Sequence, residues 1–276
     1  MSESRPSSAF RRRLQILHEM GLSPLWQLRE SRSVGRSAPV DRDRTPIAQK
    51  PEAVLAPPVN KVDRGTAGDR AEVISRLDWE SLRASIADCH ACRLCEKRQQ
   101  AVPGVGDIEA DWLFIGEGPG AEEDARGEPF VGAAGRLLDA MLAAIDLRRG
   151  QDVYIANAVK CRPPSNRTPE ASEIAACAPY LRRQIVLLQP RLIVLLGRVA
   201  VHALLGEVGS LSSLRGQLLH YRKPEDGGAI PVVVTYHPAY LLRTLPDKAK
   251  SWEDLCRART LMHAAKAHAK QIRSPL

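Results

Sequence analysis

Four apolar runs, at 112–115, 153–156, 192–196 and 232–235, constrain this chain more than anything else in it. None contains a charged residue, and most positions are β-branched, aromatic or leucine. Between and after them lie stretches with helical periodicity, at 135–145, 169–188, 199–205 and from 252 to about 269. A strand without a polar face must be covered on both sides. Strands of that kind alternating with helices describe a parallel sheet between two helical layers. The expectation is a three-layer α/β/α fold with a central four-stranded parallel sheet. Ligands of such folds bind beyond the carboxyl ends of the strands. Glu117, Asn157, Gly197 and His237 follow the four runs in turn.

The first of these loops is the richest. It reads Gly116-Glu117-Gly118-Pro119-Gly120-Ala121-Glu122-Glu123-Asp124 and continues to Pro129-Phe130-Val131-Gly132. Glycines at a strand end let a ligand approach backbone N–H groups closely. Acidic side chains and an aromatic on the same loop suit a flat polar ring, gripped at its edge and covered on its face. Aromatic residues make up only 4% of the chain, which gives Phe130 added weight.

The 276 residues carry a net charge of +8, which favours a polyanionic partner. No run approaches the roughly 18 apolar residues of a membrane span, and no apolar signal core opens the chain, so a cytoplasmic protein is expected. Residues 1–30 form an amphipathic peptide with Leu14, Leu17, Met20, Leu22, Leu25 and Trp26 as apolar points. Residues 31–77 read as a disordered linker, because the Arg, Ser, Pro, Asp and Ala of this stretch show no periodicity. Residues 78–270 read as the globular domain.

Six cysteines are present. Cys89 and Cys92 form a Cys-x-x-Cys pair, and Cys161 and Cys177 follow much later. Without a signal peptide, this clustering points to metal rather than to disulfides. Spacing alone leaves zinc, the commoner structural metal, and an iron–sulfur cluster both open. Cys95 lies near the pair, and Cys256 falls in a helical pattern as a small core residue.

Seven segments, taken together, resemble the family 4 uracil-DNA glycosylases, the iron–sulfur type of bacteria and archaea. They are Cys89-His-Ala-Cys92-Arg-Leu, Gly116-Glu-Gly-Pro-Gly120 through Asp124, Pro129-Phe-Val-Gly132, Tyr154-Ile-Ala-Asn157, Lys160-Cys-Arg-Pro-Pro164, Asn166-Arg167 and His237-Pro-Ala-Tyr-Leu241. The likeness spans about residues 82–265 and leaves the first eighty aside. It implies a [4Fe–4S] cluster on Cys89, Cys92, Cys161 and Cys177, with Cys95 outside the ligand set. It implies a monomeric, nucleoid-associated bacterial enzyme that flips uracil out of DNA and hydrolyses its N-glycosidic bond. Phe130 would stack on the base, Asn157 would read its edge, and His237 would meet O2 as negative charge develops there. Backbone groups near Glu117 and Gly118 would complete the pocket. The aspartate of family 1 enzymes is absent, since Gly118 stands at its position, which leaves Glu117 and Glu123 as carboxylates for water or sugar. Arg162, Arg167, Arg215 and Arg243 are phosphate candidates, and Tyr240 or Leu241 is expected to wedge into the vacated stack.

Residues 10–30 resemble the amino-terminal peptide of the psi subunit of bacterial DNA polymerase III, which binds the chi subunit. A helix packed on its own domain is the plainer alternative. For the whole chain the alternative is a uracil-DNA-binding or replication accessory protein with little turnover. Relatives that trap the base covalently carry Gln in the first motif and a basic, His-containing insertion. This chain has Glu117-Gly118 and no such insertion.

Overall fold

The computed structural model describes residues 67–206, 209–223 and 227–273. The amphipathic peptide and most of the expected linker therefore lie outside the described residues. Six strands, β1 (Val105–Gly106), β2 (Trp112–Gly116), β3 (Val153–Asn157), β4 (Leu192–Leu196), β5 (Leu219–Arg222) and β6 (Ala229–Thr235), form one sheet in the order β1-β3-β2-β4-β6-β5. The pairs β3–β2, β2–β4 and β4–β6 are parallel, as the four apolar runs require. Antiparallel β1 and β5 add an edge strand on either side. These two were not legible as strands: β1 has only 2 residues, and Leu-His-Tyr-Arg of β5 carries two polar side chains among its 4.

The helices are α1 (Ala67–Ser75), α2 (Trp79–Ala87), α3 (Ala121–Arg126), α4 (Ala133–Ala143), α5 (Ala171–Leu188), α6 (Arg198–Leu205), α7 (Leu211–Leu214), α8 (Pro238–Leu241) and α9 (Lys248–Arg273). Successive strand residues point to opposite faces, and both faces are buried. Trp112 and Phe114 of β2 pack with Leu138 and Met141 of α4 and Leu255 and Met262 of α9. Leu113 and Ile115 pack with Leu181 and Ile185 of α5 and Ala200 and Val201 of α6. Each such buried aliphatic or aromatic side chain contributes about 1.5–3 kcal/mol.

A third apolar cluster ties the amino-terminal helices to the body: Ile74 of α1, Leu82 and Ile86 of α2, Val159, and Ile174 and Tyr180 of α5. Arg70 of α1 donates to the carbonyl of Ala176 at 2.8 Å and lies over the Tyr180 ring. Helix α1 thus corrects the expected boundary. Residues 67–75 belong to the packed unit and not to a linker, because Ile74 gives an otherwise polar segment one buried anchor. Among the described residues no helix is long and apolar enough to cross a membrane.

Candidate active site

The four parallel strands end on one side, and the loops that follow β2, β3 and β6 enclose a cleft of about 500 Å³. Glu117, Gly118, Glu123, Phe130, Asn157, Arg167, His237, Tyr240 and Arg243 all line it. Asn157 is the last residue of β3 and stands level with Gly116 of β2. The two loops then run on together, the Ala158 N–H donating to the Gly116 carbonyl at 2.9 Å and the Val159 N–H to that of Glu117 at 3.2 Å. Gly116 is required here. A Cβ on it would sit 2.5 Å from Asn157 Oδ1 and 2.5 Å from Phe130 Cζ, so the amide and the ring meet across a missing side chain.

Asn157 Oδ1 is the one buried side-chain polar atom without a hydrogen-bond partner among the described residues. Native structures rarely leave such a group unpaired. An acceptor held in this state awaits a donor from outside the chain. The His237 ring lies 5.4 Å from that of Phe130, inclined by 30°. His237 precedes α8, and its Nδ1 accepts the Ala239 N–H at 3.2 Å, which leaves the proton of a neutral ring on Nε2. Burial lowers its pKa from 6.5 to about 4; the Arg243 charge works in the same direction and Glu123 opposes it. The imidazole is therefore neutral at physiological pH, a point the sequence left open.

Phe130 holds a left-handed backbone, φ +56°. For a bulky residue this is strained. Arg149 clamps it, donating to the carbonyls of Pro129 and Phe130 at 2.8 Å each while pairing with Asp139 at 2.9 Å. Glu123 is a second clamp. Its Oε1 accepts the N–H groups of Val131 and Gly132 at 3.0 and 3.1 Å, and its Oε2 accepts that of Gly120 at 3.1 Å. Both carboxylate oxygens bind loop backbone. Glu117 is held by no such network, and burial raises its pKa above the usual carboxylate value.

The expected DNA contacts divide. Arg243 is exposed at the cleft. Arg167 lines it while making a bidentate pair with Glu173 at 2.9 and 2.7 Å, and Arg162 donates to Asn166 Oδ1 at 2.8 Å. Tyr240 also lines it, its hydroxyl donating to Asp247 at 2.6 Å and its ring stacked on Tyr236. Two expectations are corrected. The Arg215 side chain is 12% exposed and its guanidinium is committed to Asp254 and the Lys250 carbonyl, so it has little to offer a phosphate. Leu241 is 0% exposed in the core beside α9 and cannot reach DNA, whereas the next residue, Leu242, is 42% exposed. One turn of helix after His237 turns Leu241 inward and Leu242 outward.

Cys89, Cys92, Cys95, Cys161 and Cys177 line one further cavity, under α2 and α5. Among the described residues no group of three or more His, Cys, Asp or Glu is set to hold a single metal ion. Arg98 donates to Cys161 Sγ at 2.9 Å, Arg70 to Cys89 Sγ at 3.5 Å and the Lys160 N–H to Cys177 Sγ at 3.3 Å. Burial pushes the Cys161 thiol up to about 11 and the Cys177 thiol up to about 12.

The family model of the uracil DNA glycosylase superfamily matches residues 103–256. The chain belongs to the uracil DNA glycosylase superfamily. A type-4 uracil-DNA glycosylase of Pyrobaculum aerophilum is 42% identical over 183 residues, covering 65% of this chain and 92% of its own length. A type-4 uracil-DNA glycosylase of Thermotoga maritima is 40% identical over 186 residues, or 66% of this chain and 94% of its own. A type-5 uracil-DNA glycosylase of Thermus thermophilus is 34% identical over 192 residues, or 58% of this chain and 87% of its own. The part of the chain matched by the uracil DNA glycosylase superfamily holds every cleft residue named above, together with Cys161 and Cys177. Cys89 and Cys92 precede it.

Sequence reading missed Arg149, Lys160 and Arg98. Arg149 stands in a polar loop after α4 with nothing local to mark it, and its acceptors lie 19 and 20 positions away. The charge of Lys160 concealed its burial.

Proposed function

We propose that the chain excises uracil from DNA, taking the flipped nucleotide into the cleft at the strand ends and hydrolysing its N-glycosidic bond to leave an abasic site. The observation that carries this is the unpaired Asn157 Oδ1 beside Phe130 and His237. Uracil presents an N3–H donor between two carbonyl acceptors. Asn157 Oδ1 accepts from N3–H and its amide donates to O4, while cytosine has the opposite pattern at both atoms and would leave buried groups unpaired. Phe130 covers the base. The neutral His237 donates from Nε2 to O2 as the leaving base gains negative charge. Glu117, with its proton held more tightly by burial, is the pocket carboxyl left to act on sugar or water, since Glu123 holds the Gly120 and Phe130 loops. Arg243, Arg167 and Arg162 meet phosphate, and the exposed Leu242 takes the wedging role.

The thiol cavity supports a [4Fe–4S] cluster on Cys89, Cys92, Cys161 and Cys177. Its donor set is all sulfur, with N–H groups directed at three of the sulfurs. Five thiols line this one cavity, and the resemblance to the iron–sulfur type of glycosylase favours a cluster over zinc. When bound, the cluster supplies a structural cross-link and no redox step. Its ligands join the segment after α2 to the loop after β3 and to α5, so the floor of the cleft is braced from behind. The protein acts as a monomer in the cytoplasm, on chromosomal DNA.

The deciding experiment is anaerobic purification with iron and sulfide determination, run beside single-turnover excision from a uracil oligonucleotide. Phe130→Ala and His237→Ala are each expected to lower the rate by roughly 10²-fold or more while circular dichroism is unchanged. Parental rates in either variant would remove that residue from the mechanism. Absence of excision by iron-loaded parent protein would leave the alternative, a uracil-DNA-binding protein with little turnover.

A further inference from the structure

Lys160 is 1% exposed and lies between the end of β3 and the thiol cavity, whose wall it shares with Cys161 and Cys177. Its Nζ donates to the carbonyl of Asn157 at 2.8 Å and to Gln184 Oε1 at 2.6 Å. Gln184 is itself anchored through Nε2 on the Pro103 carbonyl at 2.8 Å. The backbone N–H of Lys160 goes the other way, to Cys177 Sγ. Both side-chain acceptors are neutral, and burying an ammonium on neutral acceptors opposes folding. An apolar residue of similar length would fill the space without that penalty.

Lys160 does not line the uracil cleft, so it does not touch the base. What it does hold is the backbone carrying the base-reading amide. Asn157 Oδ1 has no partner among the described residues, and its direction is set by the backbone below it. We propose that Lys160 is a positioning residue that fixes Asn157 against the wall of the cluster site, so that a loaded cluster site sets the register of uracil recognition. This rests on the reading of Asn157 as the group that pairs with the uracil edge.

The test uses full-length Lys160→Met, purified anaerobically. Iron and sulfide content, inhibition by free uracil, single-turnover excision and affinity for abasic-site DNA are measured in parallel. The expected result is parental iron and sulfide, parental affinity for abasic DNA, slower excision, and inhibition by uracil weakened on the order of tenfold, the scale on which supporting partners of a site act. Parental uracil inhibition at full iron content overturns the proposal. So does a loss that merely tracks missing iron, which would make the residue a support for the cluster alone, or an equal loss for abasic DNA. If Lys160→Met does not fold, Lys160→Leu, which likewise removes the donor to the Asn157 carbonyl, is read by the same measurements. Asn157→Ala is the control. If it retains parental uracil inhibition, the base-reading role fails and this proposal with it; if it loses inhibition while Lys160→Met does not, this proposal fails alone.

Discussion

His237 shows how little of a site's chemistry a residue's name conveys. A free imidazole titrates near neutrality, but this one is half-buried against Phe130 with the Arg243 charge acting on it, and its pKa falls to about 4. Between that value and 6.5 an unfolded chain binds a proton that the folded chain does not, so stability declines as pH falls through this window. The donor at Nε2 persists across the same window. The single-turnover excision rate is therefore expected to show no step attributable to His237 near pH 6.5; a step from this ring belongs near pH 4, where a proton added at Nδ1 breaks the bond from the Ala239 N–H. A step near 6.5 that disappears in His237→Ala would show a charged ring at work. Asn157 and His237 were legible because each stands at or just after a strand end, and Phe130 because it is an aromatic on the loop segment that follows the first strand. Their protonation and pairing were not. Those depend on the ring 5.4 Å away and on the Ala239 N–H, which is fixed only when α8 forms.

At the scale of elements, α8 decides which leucine is buried and which is exposed. It has only 4 residues, yet it sends Leu241 beneath the sheet and Leu242 to the surface. Leu241→Ala is expected to cost about 2–5 kcal/mol of stability, read in a denaturant titration, because it opens a cavity beside α9. Leu242→Ala is expected to change stability by less than about 0.5 kcal/mol. It should slow excision from duplex DNA while sparing a single-stranded substrate, where no stack has to be opened. Similar rates on duplex DNA for Leu242→Ala and parent would remove the wedging role. The pattern His-Pro-Ala-Tyr-Leu announced a functional turn but not its phase, since one residue of helical rotation is invisible to a motif. The four central strands were readable for the opposite reason: a short run that is apolar at every position has no face to turn to water and must be covered on both sides. Strands β1 and β5 were not, since edge strands need little apolar surface and β1 pairs over 2 residues alone.

For the molecule as a whole, cleft and thiol cavity are fed by the same loop. Asn157 opens it and Cys161 lies four residues on, so the two cavities share one stretch of backbone. The amino-terminal peptide stands apart from this stretch in sequence, and its role as a tether is a proposal that rests on its resemblance to the psi peptide. A peptide of residues 1–30 should bind the chi subunit of DNA polymerase III, with Leu22, Leu25 and Trp26 as anchors. No binding at about micromolar concentration in a pull-down, where roughly −8 kcal/mol would suffice, ends that reading. The parallel order of β3, β2, β4 and β6 has a practical corollary. Every loop that lines the cleft leaves the sheet in one direction, and β5 joins β6 at the opposite pole. A fluorophore or surface anchor attached at that junction would ride on the enzyme behind its working face, leaving the encounter with a DNA strand free to be watched.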